Sequence, residues 1–131
     1  MDELPIRSGD DVVRVRQQVR AAAAENGLSL VDQTKLVTAA SELARNTLVH
    51  GGGGMARVEV VKSPTGRTGV KLHFADEGPG IADIGLALTD GWSSGTGLGL
   101  GLSGARRLVD EFELDSQPGA GTKVVVTKWS R

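Results

Sequence analysis

The stretch GWSSGTGLGLGLSGARRLVDEF, residues 91–112, is the most informative part of this sequence. Five glycines lie from Gly95 to Gly104, and an amphipathic run follows them at once. A glycine-rich turn that opens a helix often holds a phosphate, because the first N–H groups of a helix have no intrahelical partner. The stretch therefore predicts a phosphate-binding loop. Several unrelated folds contain such a loop, so the rest of the chain must distinguish between them.

Composition narrows the class of protein. The chain has 131 residues, which suits one domain with a hydrophobic core, and we treat residues 1–131 as a single domain. Its net charge of −1 gives no electrostatic reason to expect nucleic acid or a membrane as a partner. The absence of cysteine excludes disulfides and thiolate metal sites. No apolar run is long enough to span a membrane and the acidic N-terminal stretch lacks a signal-peptide pattern, so we expect a cytoplasmic protein.

Hydrophobic periodicity predicts an α+β domain. Apolar residues at helical spacing predict three helices, within residues 9–27, 29–50 and 102–112. Asp10 or Asp11 is expected to cap the first helix, and Ser29 or Asp32 the second. Alternating patterns predict strands within residues 4–7, 55–63, 67–76, 112–117 and 121–129. We expect a two-layer α/β sandwich with its helices over one face of a mixed, mostly antiparallel sheet.

Two common phosphate loops do not fit the glycine-rich stretch. The P-loop pattern needs a lysine directly after its second glycine, and no lysine lies between Lys71 and Lys123. The dinucleotide-binding pattern matches by letter from Gly99 to Gly104. However, a loop precedes it instead of a strand, and no acidic residue lies about 20 positions further on. A simple helix-entry turn would need only one or two glycines.

The second predicted helix carries a row of polar residues. Glu42, Asn46 and His50 are four residues apart and so lie on one side of the helix, with Thr38 extending the row. The amide oxygen of Asn46 is a suitable ligand for Mg²⁺, and Glu42 is placed to take a proton from a hydroxyl or a water. Taken alone, the row is more typical of a solvated polar face than of a site, and His50 of a residue stabilised by the helix dipole.

An acidic residue followed by glycines ends one predicted strand. In FADEGPGI, Asp76 comes directly after the apolar strand, and Gly78 and Gly80 follow. A carboxylate can accept a hydrogen bond from an exocyclic amino group of a purine, and glycines let a flat ring approach the backbone. The local alternative is an ordinary Asp-Gly turn.

Taken together, the motifs are more specific than any one of them. The order E-x-x-x-N on a helix, D-x-G-x-G after a strand, G-x-G-x-G opening a helix and GAGT before a final strand closely resembles the GHKL (Bergerat-fold) superfamily. This superfamily contains gyrase, Hsp90, histidine kinases and MutL. The resemblance covers residues 28–129 and implies that the protein binds ATP and Mg²⁺.

The resemblance also implies roles for individual residues. Asn46 would hold Mg²⁺, and Asp76 would bind the adenine amino group, with Thr122 contacting adenine through the same site. Residues 83–96 would form a lid over the nucleotide. The other implied nucleotide contacts lie under the base or along the triphosphate, at Gly78, Gly80, Gly97, Gly99, Leu100, Gly101 and Leu102.

Within the superfamily, the sequence looks most like the protein serine/threonine kinases of bacterial partner switching. No phosphoacceptor helix or following domain is seen, which disfavours a histidine kinase or a gyrase-like ATPase. The segments 32–54, 76–81, 97–112 and 121–129 resemble the RsbT-like switch kinases of the stressosome pathway. That resemblance implies phosphorylation of STAS-domain proteins, sequestration by the stressosome until stress, and activation of a phosphatase after release. The glycine run Gly51–Gly54 departs from the expected pattern, which suggests different partner contacts there.

In this hypothesis Glu42 is the catalytic base for the incoming Ser or Thr hydroxyl, and the loop N–H groups and the metal stabilise the transferred phosphoryl group. Arg45 either guides the phosphate or the partner, or is a surface residue. Three alternatives remain open: an anti-sigma factor kinase that sequesters a sigma factor, a nucleotide-gated binding module with little catalysis, and an ATPase fragment of a larger machine.

Overall fold

The computed structural model describes residues 3–80 and 101–131. Three helices and five strands form this part of the chain. In chain order they are β1 (Glu3–Ile6), α1 (Gly9–Glu25), α2 (Leu30–Val49), β2 (Gly54–Lys62), β3 (Thr68–Asp76), α3 (Gly101–Arg107), β4 (Glu111–Ser116) and β5 (Thr122–Trp129). None of the helices within these residues is long and apolar enough to cross a membrane.

The five strands form one sheet in the order β1-β2-β3-β5-β4. All four neighbouring pairs are antiparallel, so the prediction of a mostly antiparallel sheet is confirmed, and the described strands contain no parallel pair. The register places Asp76, the last residue of β3, opposite Gly54 of β2 and opposite Thr122 of β5. Asp76 therefore lies at one end of the central strand, with a paired backbone on both sides.

The hydrophobic core lies between the sheet and the helices. Alternate residues of β3 and β5 point into it, and Leu72 pairs directly with Val126 at its centre. Complete burial of one such side chain stabilises the fold by about 1.5–3 kcal/mol. Helices α1 and α2 supply the opposite side of the core through Val15, Val19, Ala23, Leu36, Val37, Ala39, Ala40, Leu43 and Ala44. The two-layer α+β architecture predicted from the sequence is thus confirmed.

The starts of the two long helices differ in how they are capped. The Ser29 hydroxyl accepts a hydrogen bond from Asp32 N at 3.1 Å, which identifies Ser29 as the N-cap of α2. The prediction that Asp10 or Asp11 caps α1 was wrong, because Ser8 occupies the N-cap position. Asp11 lies inside the first turn, where its carboxylate accepts a hydrogen bond from Arg7 N at 2.8 Å.

The third helix is shorter than the sequence pattern predicted. It ends at Arg107, whereas the pattern extended the helix to Phe112. Asp110 N instead donates to Thr127 O at 3.0 Å, and Phe112 pairs with Val126 in the sheet. Pairing with β5 satisfies these backbone groups and packs Phe112 partly against the core, so strand structure replaces the last helical turn.

At the end of the sheet away from Asp76, four charged residues form what we call the C-terminal ion cluster. Lys128 is only 4% exposed, and its Nζ lies 3.6 Å from Asp32 Oδ1 and 3.5 Å from Asp110 Oδ1. Arg131 contacts the same two carboxylates at 3.5 and 2.7 Å. The cluster ties the start of α2 to the beginning of β4 and the end of β5.

The environment of Asp110 lowers its pKa below the ordinary value. Burial by itself raises the pKa of this carboxyl, because it disfavours the charged form. The hydrogen bond from Trp129 N and the charges of Lys128 and Arg131 act in the opposite direction and together outweigh burial. The fold therefore favours the charged form of Asp110.

Candidate nucleotide-binding site

The polar row on α2 lies at the edge of the core. Glu42 and Asn46 are one helical turn apart, about 6 Å along the axis at 1.5 Å per residue. Both residues are half-buried. Neither the Glu42 carboxylate nor the Asn46 carboxamide forms a hydrogen bond or ion pair with residues 3–80 or 101–131. Two unpaired polar groups side by side are available to bind one ligand.

The buried face of α2 fixes where this row points. Leu36, Ala40, Leu43 and Thr47 recur at helical spacing along α2, and all four are buried. The Thr47 hydroxyl donates to Leu43 O at 2.9 Å, so its polar group is satisfied inside the helix. Glu42 and Asn46 each directly precede a residue of this buried face, so the polar row lies about 100° away from it around the helix. Thr38, which extends the row, is exposed.

Helix α2 ends directly before the last residue of this row. His50 is at the C-cap, is exposed, and donates its backbone N–H to Asn46 O at 2.9 Å. Gly51 N also donates to Asn46 O, at 3.2 Å. Gly52 and Gly53 then adopt φ values of 74° and 108°, which residues other than glycine rarely adopt. These glycines turn the chain sharply from α2 into β2.

Asp76 ends β3 with its carboxylate partly satisfied by the following turn. Gly78 N donates to Asp76 Oδ1 at 2.9 Å, which is the hydrogen bond of an Asx-turn. No second hydrogen bond to this carboxylate is formed within the described ranges. Oδ2 is therefore available to accept a hydrogen bond from a ligand.

Glycine backbone packs closely around Asp76. A Cβ added to Gly51 would lie 2.6 Å from Asp76 Oδ2, and one added to Gly78 would lie 2.7 Å from the Cα of Gly51. On the opposite strand, Gly121 packs against the carbonyl oxygen of Asp76. Since contacts this short do not occur for real Cβ atoms, only glycine fits at these positions. The end of α2 and the end of β3 are thereby held in direct contact.

Thr122 lies beside Asp76 in the sheet and is oriented by Ser116. The Ser116 hydroxyl donates to Gly121 O at 3.1 Å and lies 2.8 Å from Thr122 Oγ1. A hydroxyl has one proton to donate, so Thr122 is the donor in its bond with Ser116. The remaining hydrogen-bonding capacity of Thr122 Oγ1 is that of an acceptor, which suits a ligand N–H.

Gly80 has a packing role of its own. Its φ is 77°, and a Cβ there would fall on the carbonyl oxygen of Gln117. In the same contact, Gly119 N donates to Pro79 O at 2.7 Å. The loop after β3 is thus attached to the turn between β4 and β5. The expectation that Gly78 and Gly80 lie under a purine ring stays a prediction.

Several of the predicted phosphate contacts lie outside the described residues. These are Gly97, Gly99 and Leu100, together with the expected lid at residues 83–96. Gly101 and Leu102 are the first two residues of α3, and the Leu102 side chain is buried in the core. Any contact of Leu102 with phosphate must therefore be made through its backbone.

Sequence reasoning missed the contact of Gly51 with Asp76. The run Gly51–Gly54 was attributed to partner contacts, but the structure gives internal reasons for it. Gly51 packs on Asp76, and Gly54 packs on Ala75 O. The excess of glycine at a helix-to-strand junction was the available signal for this close backbone approach.

The side chains of this site suit a metal ion that takes most of its ligands from a bound phosphate compound and from water. Within residues 3–80 and 101–131, no group of three His, Cys, Asp or Glu side chains could hold a metal ion. Mg²⁺ usually keeps few protein ligands and takes the others from phosphates and water. The amide oxygen of Asn46, unpaired and beside Glu42, fits that mode of binding.

Comparison with known proteins agrees with this geometry. Residues 31–130 match the family described as histidine kinase-, DNA gyrase B- and HSP90-like ATPase. The serine/threonine-protein kinase RsbT of Bacillus subtilis (strain 168) is 46% identical over 121 residues, which cover 92% of this chain and 90% of the relative. An anti-sigma F factor of Clostridium beijerinckii is 30% identical over 120 residues, which cover 86% of this chain and 82% of the relative.

Solved structures show the same fold. The RsbU and RsbW domains of a Mycobacterium tuberculosis protein match with a TM-score of 0.64 at 24% identity, over 100% of this chain and 33% of that one. The mycobacterial sensor histidine kinase MprB matches with a TM-score of 0.51 at 18% identity, over 99% of this chain and 97% of that one.

The chain therefore belongs to the histidine kinase-, DNA gyrase B- and HSP90-like ATPase family. Within that family, the expected resemblance to the RsbT-like serine/threonine protein kinases is confirmed by the relative that carries this name. This supports an enzyme of the protein serine/threonine kinase type and use of ATP. The anti-sigma F factors among its relatives support a partner-switching kinase in the regulation of sigma factors.

Proposed function

We propose that this protein transfers the γ-phosphoryl group of ATP to a Ser or Thr hydroxyl of a STAS-domain protein in a bacterial stress-response pathway. The observation that carries the proposal is the packing of Gly51 on Asp76. It holds the helix bearing Glu42 and Asn46 against the strand that ends at Asp76. The residues that we propose as general base, metal ligand and adenine acceptor would thus lie at the same end of the domain.

In the proposed reaction, Asp76 Oδ2 accepts a hydrogen bond from the adenine amino group and orients the nucleotide. Asn46 would hold Mg²⁺ through its amide oxygen. When bound, the metal supplies positive charge that stabilises the phosphoryl group during transfer. Glu42 accepts the proton of the incoming hydroxyl as its oxygen bonds to the γ-phosphorus and the bond from that phosphorus to ADP breaks.

The environment of Glu42 supports its role as base. The side chain is half-buried and forms no ion pair within the described ranges, so its carboxylate is not neutralised by a neighbouring cation. Arg45, three residues further along the same helix, is exposed. We therefore propose that Arg45 acts at the surface, outside the phosphoryl-transfer site.

The similarity to the kinase RsbT also supports a proposal about specific partner proteins. We propose that the kinase is held by STAS-domain proteins of a stressosome until stress, and that on release it binds and activates a regulatory phosphatase. We propose a cytoplasmic location and no role for nucleic acid.

The first experiment uses γ-labelled ATP, Mg²⁺ and a STAS-domain protein from the same cell. We expect label on the STAS protein with the unmodified chain and at least about 100-fold less with Glu42→Gln, since a general base contributes about 10²–10⁴-fold. Glu25→Gln is the matched control, because Glu25 is an exposed carboxylate at the end of α1. Transfer at full rate by Glu42→Gln would contradict the assignment of Glu42 as base.

The same experiment separates the alternatives. A nucleotide-gated binding module would bind ATP without labelling any STAS protein. An anti-sigma factor kinase, the second candidate, is favoured by the anti-sigma F relatives and would in addition bind a purified sigma factor in a nucleotide-dependent way. Binding of the sigma factor by the wild-type chain therefore distinguishes it from a switch kinase that acts on STAS proteins alone.

A further inference from the structure

The close contact between Gly51 and Asp76 has a chemical consequence beyond joining two elements. Gly51 has no strained φ, so its backbone conformation alone does not require glycine. The requirement comes from space, because an added Cβ would overlap the Asp76 side chain and would lie 2.6 Å from Oδ2. Oδ2 is the carboxylate oxygen that the turn after β3 leaves available.

We propose that Gly51 is a positioning residue for base selectivity: its missing side chain lets Asp76 hold the orientation that accepts the amino group of adenine and rejects a purine with a carbonyl there. The inference rests on the proposed function, since it takes adenine as the base that Asp76 binds. It assigns to the end of α2 a role in choosing the nucleotide, separate from the roles of Glu42 and Asn46.

The surroundings of Asp76 determine which atoms would move if a side chain were added at Gly51. The backbone of Asp76 is paired with Gly54 on one side and Thr122 on the other, and Gly121 packs against its carbonyl oxygen. These contacts prevent the strand end from shifting away. An added Cβ would lie 2.5 Å from Asp76 Cβ, which side-chain rotation cannot move, so the Gly51 backbone must shift as well. Any rotation that clears the Asp76 carboxylate would break the 2.9 Å hydrogen bond from Gly78 N to Oδ1.

The chemistry of purines makes this displacement measurable. Adenine carries an amino group at C6, which donates a hydrogen bond to a carboxylate, whereas hypoxanthine carries a carbonyl oxygen there, which a carboxylate repels. A correctly oriented Asp76 thus favours ATP over ITP. Loss of a hydrogen bond to a charged group lowers affinity by about 10- to 100-fold. A rotated Asp76 should lose this preference for ATP while the triphosphate is still bound.

The experiment measures the dissociation constants of Mg·ATP and Mg·ITP by titration calorimetry for Gly51→Ala and Gly52→Ala. Gly52 is the matched control, because it is the next residue, has open space around its Cβ position, and has a φ of 74° that alanine rarely adopts. Both variants are expected to lose some thermal stability. Only Gly51→Ala should lower the ITP-to-ATP ratio of dissociation constants, by about 10-fold or more.

The outcomes separate the inference from the proposed function. A wild-type chain that binds ATP and ITP equally would overturn the assignment of Asp76 as the adenine acceptor. A selective wild type with an unchanged ratio in Gly51→Ala, an equal loss of ATP and ITP affinity, or the same ratio change in Gly52→Ala would overturn only the role of Gly51. If Gly51→Ala does not fold, Gly78→Ala, whose added Cβ would lie 2.7 Å from Gly51 Cα, should lower the same ratio.

Discussion

Replacing Lys128 by methionine should destabilise the fold strongly, although Lys128 lies at the opposite end of the sheet from Asp76. Lys128 is 4% exposed, and its ammonium lies within 3.6 Å of both Asp32 and Asp110. Methionine fills a similar volume but removes the charge, so Arg131 would remain as the cation beside two poorly hydrated carboxylates, with the Trp129 N–H still bonded to Asp110. The Arg131 side chain is 58% exposed and cannot replace a buried cation.

The size of the effect follows from burial. Breaking a buried ion pair by removing one partner costs about 3–5 kcal/mol, because the remaining charge is left uncompensated. Asp110 is 22% exposed in its side chain and so keeps some hydration, which places the expected loss near the lower limit, at about 3 kcal/mol. The free energy of unfolding of a folded domain is typically about 5–15 kcal/mol. A loss of about 3 kcal/mol would therefore remove about half of it in a domain near the lower limit.

Urea unfolding followed by far-UV circular dichroism at pH 7 measures this loss. Lys128→Met should lower the midpoint without changing the slope, which reports the surface exposed on unfolding. Arg131→Ala is the matched control, because an exposed ion pair contributes only about 0–1 kcal/mol. A Lys128→Met midpoint as close to wild type as that of Arg131→Ala would refute the reasoning that the C-terminal ion cluster depends on its buried cation.

Two further predictions concern stability. The pKa of Asp110 is lowered in the fold from 3.8, so its charged form adds stability above that pH, and the contribution is lost as pH falls through the lower folded pKa. The difference in melting temperature between wild type and Asp110→Asn should therefore narrow below about pH 4, and a constant difference would contradict this. In Gly54→Ala, the added Cβ would meet Ala75 O and lie 2.8 Å from Thr47 Cγ2, which should cost about 1–3 kcal/mol in urea unfolding. Gly9→Ala, with open space and an ordinary φ, should cost nothing measurable.

The elements were largely predictable because apolar spacing is strong in this sequence. The buried face of α2 from Leu36 to Thr47 followed directly from the helical period, and the strands followed from alternation. The end of α3 could not be predicted in this way, because the spacing of apolar residues up to Phe112 also fits a helix. Only the position of β5, which pairs with Phe112, decides between helix and strand there.

The candidate site was predictable where one element carried the signal. The spacing of Glu42 and Asn46 was sufficient to place them on one side of α2. The contact of Gly51 with Asp76 joins residues 25 positions apart, and no local pattern reports such a distance. The same holds for the hydrogen bond that orients Thr122, since it depends on how the turn between β4 and β5 brings Ser116 back to its partner.

The central place of β3 in the sheet also bears on how the domain releases a ligand. Hydrogen-bonded neighbours cover β3 from Gly69 to Asp76 on both edges. Amide hydrogens in such a strand exchange with solvent only when a large part of the molecule opens, whereas those of edge strands and short helices exchange through smaller openings. We therefore expect β3, which ends at Asp76, to be among the slowest-exchanging segments. If Asp76 binds the nucleotide as proposed, we expect release through movement of the parts around β3, while β3 itself stays hydrogen-bonded.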